Sequence, residues 1–100
     1  MVTISVLVTI AIPEACSLKD KRQVVRSLVE RLRVRRQLSA AEVGEQDEVR
    51  RGQVGFAVVS GSFAEARRLA DEARRFVDAE LLGKAEVIAM DIEECVLPSG

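Results

Sequence analysis

Histidine, tryptophan and tyrosine are absent from this 100-residue chain, which holds only two cysteines, two prolines and three phenylalanines. Without histidine, neither a zinc site of the Cys/His kind nor imidazole acid–base catalysis can be assembled. Two cysteines cannot form a dense disulfide framework or hold an iron–sulfur cluster, so Cys16 and Cys95 are expected to be free thiols. The six glycines form no phosphate-binding loop, and no pair of carboxylates has an evident catalytic division of labour. The expectation is a chain that is not an enzyme, with no catalytic residues, no metal and no cofactor. Long apolar runs are missing too. The longest, Val2 to Ile12, is about half the roughly 20 residues a bilayer helix needs, and no small-residue cleavage site follows it as a secretory signal requires. A cytoplasmic protein with no membrane partner is expected.

Apolar residues make up 48% of the chain and charged residues 31%, the balance of a folded globular protein. A chain of this length buries roughly 60–70% of the surface its unfolded form exposes. One domain over residues 1–96 is expected, with 97–100 as a C-terminal tail. The formal net charge is −1, yet residues 19–36 hold Lys19, Lys21, Arg22, Arg26, Arg31, Arg33, Arg35 and Arg36 against only Asp20 and Glu30. One segment is therefore strongly basic and the remainder acidic.

Val2, Ile4, Val6, Val8, Ile10 and Ile12 alternate with Thr3, Ser5, Leu7, Thr9 and Ala11, which predicts a half-buried strand ended by Pro13. Ser17 followed by Asp20 has the spacing of a helix cap, and Val24, Val25, Leu28, Val29 and Leu32 carry a helical repeat from about Leu18 to Arg36. Short strands are predicted over Leu38–Val43 and Gln53–Ser60, joined by Gly44–Gly52. Ser62 and Glu65 repeat the cap pattern. Ala66, Leu69, Ala70, Ala73, Phe76 and Val77 then mark a second helix, stopped at Gly83, whose outer charges sit at pairing distances. A last strand over Lys84–Glu94 is predicted to turn Ile88, Met90 and Ile92 inward and Val87, Ala89, Asp91 and Glu93 outward.

This order predicts an α+β protein of the ferredoxin-like βαββαβ plan, a four-stranded antiparallel sheet in spatial order 4-1-3-2 with two helices on one face. The turn after the first strand, the start of the first helix, the Gly44–Gly52 connection and Gly83 then share one end of the sheet. Cys16 and Cys95 fall at opposite ends, so no disulfide should join them. The face away from the helices is predicted to carry Thr3, Ser5, Leu7, Thr9, Gly55, Ala57, Val59, Val87 and Ala89, a small and uncharged surface unusual for an exposed sheet.

Cys16-Ser17-Leu18-Lys19-Asp20-Lys21-Arg22, Ala41-Glu42-Val43-Gly44-Glu45-Gln46-Asp47 and Val54-Gly55-Phe56-Ala57-Val58-Val59-Ser60 together resemble the YlxP-like family of small bacterial proteins, over nearly the whole chain. The family pattern commonly has His where this chain has Cys16, and an aromatic where it has Val49. The resemblance implies a ferredoxin-like fold and a link to ribosome maturation.

Three surfaces are candidates for function. Ser17, Lys19, Lys21, Arg22, Gln46, Arg50 and Arg51 gather at the loop end, where the start of a helix favours an anion or a charged partner. The alternative there is a structural set of salt bridges, with Glu45, Asp47 and Glu48 opposite the lysines. Arg26, Arg33 and Arg36 on the basic helix suit an RNA backbone, with the ribosome or ribosomal RNA as partner. Base stacking on the open sheet, as RRM domains use it, is not expected, because none of the three phenylalanines falls on that face. The open face itself suits a homodimer or another interaction partner. The sequence thus offers a noncatalytic binding module acting through the basic helix, or a homo-oligomeric interaction or regulatory module acting through the sheet face.

Overall fold

The computed structural model describes residues 1–99. Strand β1 spans Val2–Ala11, helix α1 Leu18–Arg35, strand β2 Ser39–Gly44, strand β3 Arg51–Ser60, helix α2 Phe63–Leu81 and strand β4 Glu86–Val96. The strands form one antiparallel sheet in the order β2-β3-β1-β4, as the chain order predicts. The last position of the proposed tail, Gly100, lies outside the described residues; before it, the Leu97 N–H donates to the Met1 carbonyl at 2.8 Å.

Alternation along β1 puts Val2, Ile4, Val6, Val8 and Ile10 into the core, and Val54, Phe56 and Val58 of β3 meet them. Above them lie Val25, Leu28, Val29 and Leu32 of α1 and Ala66, Ala70, Ala73, Val77 and Leu81 of α2. Both helices begin at the serine the cap spacing indicates. The Ser17 hydroxyl accepts from the Asp20 N–H at 3.2 Å, and the Ser62 hydroxyl accepts from the Glu65 N–H at 3.3 Å. At the far end of α1, Gln37 takes a left-handed φ of 55° while the Leu38 N–H closes onto the Leu32 carbonyl. Gly83, at φ 78°, stops α2 with the Lys84 and Ala85 N–H groups both donating to the Leu81 carbonyl.

The charges on α2 pair within the helix, Arg68 with Glu65 and Glu72 and Arg74 with Asp71, as their spacing predicts. Arg67 instead reaches across to Glu94 on β4. Its two guanidinium hydrogen bonds hold the Glu94 carboxyl below the usual carboxylate range.

One prediction about β4 is corrected. Thr9 is opposite Ala89, but Ile10 is opposite Val87, so Ile88 is an extra residue in a β-bulge. The bulge inverts the alternation: Val87 packs against the core, while Ile88 is exposed. The expected pattern holds beyond it, with Ala89, Asp91 and Glu93 on the open face beside Thr9, Leu7 and Ser5.

Cys16 follows the Ala11 end of β1, and Cys95 is paired with Thr3 near the other end; both are free and exposed. Their separation along β1 is about 26 Å, far beyond the roughly 7 Å limit for a disulfide. For the bulge, Val87→Ala should cost about 1 kcal/mol and Ile88→Ala less than about 0.5 kcal/mol. Urea midpoints in the reverse order would place Ile88, not Val87, in the core.

Candidate functional site

The loop end gathers the residues expected there, but turns one of them, Lys21, into the interior. Lys21 lies four residues before Val25, on the buried stripe of α1, and its side chain is fully buried. Its ammonium donates to the carbonyls of Glu45 at 2.6 Å and Gln46 at 3.1 Å. The Glu42 carboxylate stands 3.5 Å away; its Oε2 is buried and accepts no hydrogen bond, so this contact is one of charge alone. Lys21's compensation thus comes from two carbonyls and Glu42, and not from the carboxylates of Glu45, Asp47 or Glu48.

The Lys21 stem fits because Gly52 has no side chain: a Cβ there would lie 3.4 Å from Lys21 Cε and 3.0 Å from Val25 Cγ2. Glu45 holds a left-handed φ of 57° where the connection turns toward the ammonium. Ser17 caps α1, and the Asp20 carboxylate accepts from the Cys16 N–H at 3.0 Å. The anion-favouring start of the helix is therefore answered by the chain's own carboxylate. Arg50 donates from Nε to the Ala15 carbonyl, and its own carbonyl accepts from the Ile12 N–H. Gln46 contributes its backbone to Lys21, while Lys19, Arg22 and Arg51 are exposed. Strand alternation carried a sign of Glu42, since it shares the inward parity of Ala40; the helical stripe carried one of Lys21.

The basic helix is likewise largely occupied by its own fold. Arg31 and Arg35 pair with Glu80 of α2, and Arg36 pairs with Glu72 at 3.0 Å while lying over the Phe76 ring. Arg33 donates to the Ala40 carbonyl at 2.8 Å. Of the three arginines suited to an RNA backbone, only Arg26 is exposed with neither an ion pair nor a side-chain hydrogen bond among the described residues. Lys19 and Arg22 share that condition.

The open sheet face keeps its surface free. Across its centre run Ser39, Ala57 and Ser5, then Ala41, Gly55 and Leu7, with Glu93 and Asp91 of β4 at one border. Together they line a shallow trough of about 510 Å³. Val43 and Val59 stand exposed around it. The predicted membership of this face holds except for Val87, which the bulge moves to the core side. No phenylalanine lies on it: Phe56 is buried in the core, and Phe63 and Phe76 belong to α2.

The Lys21 anchor predicts a difference between neighbours. Lys21→Met keeps most of the stem but leaves two carbonyls and the Glu42 carboxylate without their cation, so it should cost about 1–3 kcal/mol. Lys19→Met should change stability by less than about 0.5 kcal/mol. Equal urea midpoints for the two variants would show that the ammonium does not hold the loop.

Among solved structures, the chain is similar to a de novo designed protein with a ferredoxin fold, known from solution NMR. The TM-score is 0.51 at 15% sequence identity, over 99% of this chain and 88% of that one. It is also similar to a dimeric ferredoxin-like protein from an uncultured marine organism, with a TM-score of 0.48 at 13% identity over 100% and 99% of the two chains. At such identities the first likeness shows the fold alone. No curated protein matches the chain. A family model described as "Protein of unknown function (DUF503)" matches residues 3–92, nearly all of the sheet and both helices, and the chain therefore belongs to the DUF503 family.

Proposed function

We propose that this chain is a noncatalytic interaction module that self-associates through the open face of its sheet. The observation that carries this reading is the uncharged centre of that face, where Ser5, Leu7, Ala41, Gly55 and Ala57 border the trough beside the exposed Val43 and Val59. Small side chains let a second sheet approach at the roughly 10 Å spacing of packed sheets. Three strands of about 33 Å and one, β2, of about 20 Å, at about 4.8 Å spacing, present about 600 Å². Two copies would therefore bury about 1,200 Å², the lower end of stable specific interfaces. A second copy is favoured over an unrelated apolar partner because the face is self-complementary in size and, at its centre, carries no charge to repel its copy.

Sedimentation at high micromolar concentration should give twice the 11.0 kDa of one chain. Val59→Glu combined with Ala57→Glu should give a monomer of unchanged helix content. A wild-type chain that stays monomeric at that concentration would refute the proposal.

A second reading, contact with ribosomal RNA, is the one that the YlxP-like resemblance favours. It is supported by the exposed first half of α1, where Lys19, Arg22 and Arg26 make no ion pair among the described residues. Such binding would be directed at the backbone and salt-sensitive. Co-sedimentation with ribosomal subunits should then fade at high salt and disappear when those three residues become Glu. Binding indifferent to both changes would eliminate this electrostatic form.

A further inference from the structure

Strand β4 is an edge of the sheet and its two sides are chemically different. Beyond the bulge, Ala89 to Val96 pair with β1 in unbroken register, so alternate residues over about 26 Å turn their N–H and C=O groups away from the protein. On the open-face side this run carries Asp91 and Glu93, both exposed and without a cation partner among the described residues. On the helix side it carries Ile92, 45% exposed, and Val96, 54% exposed, flanking Glu94, whose charge Arg67 already answers. A pocket of about 230 Å³ opens there between α2 and β4, lined by Ile4, Arg67, Ala70, Asp71, Ile92 and Glu94.

From this we infer that the β4 edge is a docking site for an extended segment of another protein in which basic and apolar residues alternate. Added as a fifth strand, such a segment would complete the edge with main-chain hydrogen bonds. Its basic side chains would stand beside Asp91 and Glu93 on one face, and its apolar side chains beside Ile92 and Val96 on the other, one of them over the pocket.

Charge complementarity chooses this occupant. Residues 86–96 contain Glu86, Asp91, Glu93 and Glu94 and no lysine or arginine. Two copies joined edge to edge about Ile92 would set Asp91 opposite Glu93 twice on the same face, an unfavourable like-charge pairing. Charges on an edge commonly guard it against strands in general. Here the carboxylates without a cation partner stand on one side only, while on the other Glu94 is answered by Arg67 and apolar residues lie bare, so the edge refuses acidic and self-pairing strands and accepts a basic one. The inference does not rest on self-association through the sheet face, whose uncharged centre runs over β2, β3 and β1.

The test is a titration of the isotopically labelled full chain with a capped peptide alternating lysine and valine over eight residues, read by amide NMR shifts and hydrogen exchange. Shifts should centre on Ala89–Val96, and alternate β4 amides should gain protection. Asp91→Asn with Glu93→Asn should weaken binding about fivefold or more, and a peptide of the same composition with its lysines and valines in two blocks should bind more weakly. The Val59→Glu, Ala57→Glu variant should bind the alternating peptide like the wild type, so that loss of self-association and loss of edge binding are read separately. Absence of binding, shifts centred on α1 or β3, equal affinity for the block peptide, or indifference to the two Asn substitutions would each overturn the inference.

Discussion

Lys21 takes its charge into the interior of a small domain, a position tolerated only when the ammonium finds fixed partners. It finds them because three separate features coincide: the helical stripe points its stem inward, Gly52 leaves space for that stem, and Glu45 adopts the left-handed backbone of the connection. The two carbonyl hydrogen bonds fasten the start of α1 to the β2–β3 connection. The hydrogen bonds between Ile12, Ala15 and Arg50 then join that connection to the exit of β1. A cluster of lysine, arginine and serine at a helix start would ordinarily suggest anion binding; here Ser17 caps the helix and Lys21 closes one end of the sheet, while Lys19 and Arg22 stay exposed.

The remaining basic residues follow a similar logic on a larger scale. Arg31, Arg35 and Arg36 face Glu80 and Glu72, so the excess positive charge of α1 is met mainly by the acidic side of α2. Since α2 spends those carboxylates on α1, only Arg67 reaches from the helices toward the acids of β4. The polarity of the surface is a consequence of this pairing: cations persist on the first half of α1, and carboxylates persist on β4. These are partly exposed pairs, individually worth little, but together they decide which charges remain free.

Most of the fold was legible because its signals are local and regular. The period of two in β1, the serine caps of both helices and the glycine stop of α2 each correspond to an observed element, and the chain order leads to the observed sheet order. The bulge at Ile88 was not legible, since Val87 and Ile88 are both apolar β-branched residues and either parity reads as a strand; only pairing with Thr9 and Ile10 distinguishes them. The bare helix side of β4 was equally hidden. Ala66, Ala70 and Ala73 keep α2 close to the sheet and cover little beyond their own footprint, so Ile92 stays accessible although its parity is inward. At the candidate site the residues were correctly gathered at one end, but whether Lys21 faces solvent or the core depends on a glycine 31 positions away.

The two unpaired parts of the sheet call for different physics. Association through the face would draw on apolar area at a centre without charge, which added salt does not weaken. Docking on the β4 edge would draw on main-chain hydrogen bonds and on Asp91 and Glu93, which salt screens within about 10 Å at moderate ionic strength. Because β4 lies outermost in the order β2-β3-β1-β4, a second copy centred over β3 and β1 leaves its outer hydrogen-bonding edge accessible. Self-association and strand docking are therefore geometrically compatible, and salt separates them: an interaction lost on raising ionic strength belongs to the edge, and one that persists belongs to the face.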